Sequence, residues 1–285
     1  MVLDSSTTHD TTMTSDTGIT FYDIKSSEPC RTFAPNPWKT RLALNHKGLK
    51  YQTQWVDMPD ITALREKLNV PANRTLPDGT AFHTLPVIHD HATGAIIGDT
   101  FEIALYLDKT YPDRPTLFKP HTTGLTALLN SQMDTLFTKH LAVVHEMVFP
   151  PESKDACYAI FAKRAGAKSY SDLQPSAEQR EAVFVQFEAA LDELLKGFRH
   201  TGGTTDHFWR APGAKETTNL QRGPKKRGIW LDDGEEPAYS DFIIGAWLKC
   251  LEVNMREEDW RRIRGWNEGF WGRYVDALEK WAEIK

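Results

Sequence analysis

The run CRTFAPNPWKTR, residues 30–41, reads as the start of a helix, with Asn36 as its cap and Lys39 and Arg41 in the first turns. A helix start carries free N–H groups and a positive partial charge, which together favour an anion or a thiolate. This one is short of donors. Pro35 and Pro37 have no N–H, and both cost little there because those groups lack an intrahelical partner in any case. Ala34 has no side-chain proton to give. What remains is the backbone N–H of Asn36 and of Trp38, the Asn36 carboxamide and the Thr32 hydroxyl, and only Asn36 combines both kinds. Cys30 adds a thiol four residues before Ala34. Metal chemistry finds no comparable arrangement, because His140, His145–Glu146 and the HDH of 89–91 do not have ligand spacing.

Composition limits what such a site could serve. A chain of 285 residues, 40% hydrophobic and 26% charged, can bury a substantial core and suits two domains. A net charge of −5 offers no global field for nucleic acid or anionic membranes. The basic stretch RGPKKRG (222–228) lies among Gly, Pro and Thr and reads as a solvated loop. Three scattered cysteines form no disulfide framework, which implies a reducing, cytoplasmic compartment. No window reaches 18 uninterrupted apolar residues, so no membrane span is expected.

The elements that must position these residues follow from periodicity. Residues 1–18, rich in Ser, Thr and Asp, read as a disordered lead-in. ITFYDIK (19–25) and YQTQWV (51–56) read as strands, separated by the helix that ends at Gly48. DITALREKLN (60–69) is a short helix capped by Asp60. LPVIHD and GAIIG form a hairpin around HATG, and a helix with Asp99 at its start runs to Pro112. The order is βαβ, ββ, α, and the α/β unit spans residues 19–113. Beyond a Pro-rich linker the strands stop, and residues 114–285 read as all-helical. One long helix is expected over 121–148, with Leu125, Leu128, Leu129, Met133, Leu136 and Phe137 on helical spacing. Another starts near Ser176, where Ser176, Glu178 and Gln179 make a capping-box pattern. YSDFIIGAWLKCLEV and GFWGRYVDALEKWAEI complete the set, and residues 199–237 form an insertion without periodicity.

This order resembles the glutathione transferases: a thioredoxin-like α/β domain followed by an all-α domain. TLPVI (84–88), GDTFEIALYL (98–107) and PAYSDFIIGAW (237–247) carry the likeness. FAPNPWKTRLALNHKGLKY is similar to the first helix of fungal and bacterial transferases related to lignin β-etherases, with their Pro–Asn–x–Trp–Lys–Thr–Arg run. The resemblance implies glutathione as co-substrate and no metal. Pro86 would be the cis proline, with Val87 offering its backbone to the cysteinyl unit. Asp99 would pair with the γ-glutamyl ammonium, Thr100 and the helix N–H groups would take its carboxylate, and Trp38 would belong to the same site. Relatives place Tyr, Ser or Cys at the position of Ala34 to hold the glutathione sulfur. Here Asn36 is expected to replace that donor, with Thr32 as a second candidate, and Cys30 is a spectator. Asp241 would belong to a helix-capping box whose usual Ser/Thr is Ala238, with Ser240 as a stand-in.

An aromatic or phenolic acceptor would then lie between Phe33 and Trp38 on one side and Met133, Phe137 and His140 on the other. The expected activity is conjugation of glutathione to aromatic electrophiles, including cleavage of lignin-type β-aryl ethers, by a homodimer. Ala34 gives weight to an alternative, a ligandin that binds phenolic compounds with little turnover. A regulatory or assembly role for the same fold is less compatible with Pro86, Asp99 and Thr100.

Overall fold

The computed structural model describes residues 18–76, 78–144, 146–200, 229–232 and 234–285. The lead-in 1–17, His145, the basic run 222–228 and residues 201–228 of the insertion lie outside the described residues.

Two β-branched, aromatic runs become β1 (Ile19–Ile24) and β2 (Tyr51–Val56), paired in parallel from Ile19 opposite Tyr51 to Ile24 opposite Val56. Parallel neighbours need a crossover, which α1 (Pro35–His46) supplies. After α2 (Ile61–Lys67) comes a ribbon of two short strands, β3 (Arg74–Thr75) and β4 (Ala81–Phe82), which the sequence reading did not anticipate. The hairpin is β5 (Val87–Asp90) and β6 (Ala95–Ile97), closed by Gly94 in the left-handed region. The sheet order is β2-β1-β5-β6, with β5 antiparallel to both neighbours. Helix α3 (Thr100–Thr110) completes a thioredoxin-like domain.

The helical part departs from its expected outline. The single helix over 121–148 is instead α4 (Thr123–Lys139), followed by a 3₁₀ turn at Leu141–Val143. Leu125 and Leu128 are 69% and 66% exposed, so the buried stripe of α4 is Thr126, Met133 and Phe137 rather than all the apolar positions. Helix α5 (Lys154–Arg164) was not expected, and its weak apolar periodicity explains why. Then come α6 (Ala177–His200), α7 (Tyr239–Asn254) and α8 (Glu257–Leu278). The box before α6 forms as expected: Gln179 N–H donates to Ser176 Oγ at 3.1 Å, and Ser176 N–H to Gln179 Oε1 at 2.8 Å. Helix α8 breaks at Trp266–Gly269, where Asn267, Glu268 and Gly269 all take positive φ.

Three expected caps differ. Ala34, not Asn36, is the N-cap of α1, so Pro35 is its first helical residue. Asp60 precedes α2 without a side-chain cap bond. At α7, Ser240 does not replace the missing hydroxyl, because its Oγ donates to Asp232. Asp241 instead accepts from Ala238 N–H, Leu231 N–H and the Tyr274 hydroxyl. Burial pushes its carboxyl up to about 6 despite those donors.

Helix α1 packs against α7 and α3, and Pro37 through Leu44 are all buried. Its basic residues therefore need partners inside the protein. Lys39 reaches Asp134 and Asn130 of α4, Arg41 reaches Asp23 of β1, and Lys47 reaches Asp108 of α3 and the Pro115 carbonyl. These bonds fix α1 in all directions, and so fix the loop that precedes it.

Candidate functional site

A cleft of about 630 Å³ opens between the two domains. Its first wall is Phe33–Pro37 before and within α1, Thr84–Pro86 before β5, and Asp99 and Thr100 at the start of α3. The opposite wall comes from α4, the 3₁₀ turn that follows it, α5 and α7.

At α1 the donor inventory shrinks further. The Trp38 N–H bonds the Ala34 carbonyl at 3.2 Å, and its ring is buried below Lys249 of α7, 5.3 Å from the ammonium. Trp38 therefore does not border the cleft. The Thr32 hydroxyl donates its only proton to Asp23 Oδ2 at 2.5 Å and accepts from Arg41 Nε at 2.6 Å. Fully buried, Thr32 has no proton for a ligand, which corrects its expected role as a sulfur donor. Within the first helical turn this leaves Asn36, which borders the cleft and carries both an N–H and a carboxamide. Asn254 of α7 supports the same loop, donating to the Phe33 carbonyl at 3.0 Å.

The second element is organised by a residue the sequence reading passed over. Arg65 of α2 is 1% exposed, and its guanidinium donates to the carbonyls of Thr84 (2.6 Å), Gly98 (3.0 Å) and Pro71. Thr84 and Gly98 immediately precede Leu85–Pro86 and Asp99–Thr100, so one side chain holds two segments of the first wall. Asn73 adds a parallel brace, accepting from Thr84 N–H at 3.0 Å and donating to Gly98 O at 3.1 Å. The available signal was an arginine four residues after Ile61, on the buried side of a short helix. Gly98 has no alternative: a Cβ there would lie 2.2 Å from Val70 Cγ1 and 3.0 Å from Arg65 Nη2.

The Leu85–Pro86 peptide is cis, and Thr84, Leu85 and Pro86 border the cleft. Val87 does not. It is fully buried and paired with Tyr22 in the sheet, so the backbone at this wall belongs to Leu85 rather than Val87. Asp99 caps α3, with Oδ1 accepting from Phe101 and Glu102 N–H at 2.9 and 3.2 Å. Neither bond uses Oδ2, so capping and ligand binding are compatible. The Thr100 carbonyl accepts from the Tyr239 hydroxyl at 2.9 Å, which ties the start of α3 to α7.

On the helical side, Asp134 borders the cleft while accepting from Lys39 Nζ at 2.7 Å and Trp247 Nε1 at 2.9 Å. Burial pushes the Lys39 ammonium down, against the pull of Asp134. Three expected acceptor residues belong to the core instead. Met133 is buried, Phe137 stacks on Trp247 at 5.4 Å, and His140 stacks on Phe187 at 5.2 Å with Nδ1 against the Leu136 carbonyl. Phe33 does border the cleft, its ring edge-on to Phe149. Cys30 lies outside the cleft lining, and burial together with Glu28 pushes its thiol up, the reverse of activation. No group of three or more metal-ligating side chains occurs among the described residues, and no helix among them is long and apolar enough to cross a membrane.

Comparison with known proteins gives matches over both halves. Residues 33–110 match the family model for the glutathione S-transferase N-terminal domain, and residues 214–281 that for the C-terminal domain. The glutathione S-transferase-like protein ustS of Aspergillus flavus is 27% identical over 95% of this chain and 94% of its own. A Ceriporiopsis subvermispora glutathione S-transferase, solved in complex with glutathione, is 27% identical with a TM-score of 0.78, covering 94% of this chain and 99% of that one. Glutathione transferase GSTFuA2 from Phanerochaete chrysosporium is 26% identical at 0.73, with the same coverage.

Proposed function

Since this chain belongs to the glutathione S-transferase family, we propose that it binds glutathione along the first wall of the cleft and transfers its sulfur to an aromatic electrophile. The observation that carries this reading is the convergence of three elements on one cleft: Asn36 at α1, Leu85–Pro86, and Asp99–Thr100. Asp99 Oδ2 takes the γ-glutamyl ammonium, and the Thr100 hydroxyl and N–H take its carboxylate. The sulfur lies at the start of α1. Lowering a thiol pKa by two units takes about 2.7 kcal/mol of preferential thiolate stabilisation. Asn36 and the helix dipole supply it. In the β-etherase version the thiolate attacks the carbon bearing the aryl ether. A C–S bond forms, the C–O bond breaks, and the electron pair leaves on a phenolate. Turnover and binding with glutathione, a panel of β-aryl ethers and simple electrophiles test the reading. No glutathione-dependent turnover and no glutathione binding would end it.

Ala34 supports a second reading, a ligandin for phenolic compounds, because the expected hydroxyl is missing from the sulfur position. Asn36→Ala separates the two. Losing one neutral donor costs about 1 kcal/mol, so the pKa of bound glutathione should rise by about one unit. Ala34→Ser should lower it or leave it unchanged. Spectroscopic titration of the bound thiol reads both, and a titration that neither variant moves favours the ligandin.

Asp99→Asn keeps the α3 cap, since Asn and Asp cap equally well, and removes only the charge. Glutathione affinity should fall by about 1.5–3 kcal/mol with stability nearly unchanged. Calorimetric affinity equal to that of the wild type would dismiss the assignment.

The chain acts as a homodimer in the cytoplasm on this reading. The exposed Leu125 and Leu128 of α4 suit a subunit interface, and the free Cys30, Cys157 and Cys250 suit a reducing compartment.

A further inference from the structure

Charged residues of both signs border the cleft: Asp99, Asp134 and Lys139, and also Arg74 of β3 and Arg164, the last residue of α5. Both guanidinium groups sit on the same ring: Arg164 Cζ is 4.3 Å and Arg74 Cζ 4.9 Å from the Phe82 centroid. Arg164 also lies 5.2 Å from the Phe161 ring. Neither arginine makes an ion pair or a side-chain hydrogen bond among the described residues. This is the unusual feature. The other arginines that reach into the packed core, Arg41, Arg65 and Arg180, each donate to carboxylates or carbonyls.

Two like charges held against one aromatic ring repel, and cation–π contact compensates each only in part. Burial and the neighbouring Arg74 push Arg164 down to about 10, with no acid acting against them. The C-terminal end of α5 favours a cation there, but it leaves the planar donor fork unused. A bidentate carboxylate is the group that fits such a fork. A second observation points the same way. A smaller cavity of about 190 Å³, which Phe82 also lines, is shared by Arg164, Lys163 and His83, and His83 Nδ1 is buried without a partner among the described residues.

The surrounding wall limits what carries the carboxylate. Phe161 lies beside Arg164 with Tyr170 edge-on to it, and Leu173 and Met147 line the same cleft, all from the helical domain, so the anion is expected to come with an apolar, aromatic body. We infer that Arg164, assisted by Arg74, is a specificity-determining anion subsite, and that the acceptors of this protein are aromatic carboxylic acids. The inference rests on the transferase reading only for the word acceptor; the subsite itself can be measured without glutathione.

The test compares trans-cinnamate with its neutral isostere cinnamamide, by calorimetry or displacement of a fluorescent ligand, with and without saturating glutathione. The wild type should bind the acid about tenfold or more tightly than the amide, as expected for one charge-assisted fork. The preference should shrink as salt is raised. Arg164→Leu should abolish it, Arg164→Lys should keep part of it, and glutathione affinity should be unaltered in both. Equal binding of acid and amide by the wild type overturns the inference with no mutant needed. So does a loss of glutathione affinity in Arg164→Leu, because the fork then serves a carboxylate of glutathione itself. Acid preference in a protein that binds no glutathione would sustain the subsite and sink the transferase reading instead.

Discussion

Arg41→Met is expected to destabilise the protein by about 3–5 kcal/mol, the usual cost of leaving one charge of a buried pair without its partner. Arg41 and Asp23 are both fully buried, 3.0 Å apart, with Thr32 bonded to each. Burial pushes the Asp23 carboxyl up, and Arg41 and Thr32 pull it back; without the guanidinium, most of the compensation is lost. The double variant Asp23→Leu, Arg41→Met should recover much of the loss, because replacing a whole buried pair with apolar groups is often close to neutral. Urea denaturation of the two single variants and the double one reads the coupling. A single-variant cost below about 1 kcal/mol would show that the network contributes little. The functional effect follows from position. Thr32 lies two residues before Ala34, so a loosened network should also weaken glutathione binding even though none of these side chains faces the cleft.

Arg65→Met should affect both stability and glutathione affinity. It leaves the carbonyls of Thr84, Gly98 and Pro71 without their donors in a partly buried setting, where each unsatisfied group costs at most about 1–3 kcal/mol. Water and Asn73, which still bonds Gly98, relieve part of this, so a total near 3 kcal/mol is expected. Because Thr84 and Gly98 carry the two loops of the first wall, the glutathione Kd should rise about tenfold or more. Arg65→Lys keeps the charge but cannot bridge three carbonyls with one ammonium, and should fall between the two. The decisive comparison is with Asp99→Asn, which should weaken binding without unfolding. An Arg65→Met protein that loses stability but binds glutathione normally would remove Arg65 as a positioning residue.

The readable parts of this protein were those set by neighbours along the chain. Alternating β-branched runs defined β1 and β2, the Asp99 cap announced α3, and Ser176 with Gln179 announced α6, because caps and strand patterns depend on groups a few residues apart. α5 and the β3–β4 ribbon stayed hidden. The first has little apolar periodicity, and the second is two residues per strand.

The candidate site divides along the same line. From the sequence, Pro35, Ala34 and Pro37 already showed that α1 begins with few donors, and that Asn36 must be among those left. Only the tertiary structure decided that Thr32 and Trp38 are not available, that Leu85 rather than Val87 faces the cleft, and that Met133, Phe137 and His140 turn into the core. The reason is that α1 and α4 are each packed by partners remote in sequence. A hydroxyl or a ring looks the same along the chain whether it meets a ligand or a buried carboxylate, and Asp23, Arg41 and Trp247 settle which.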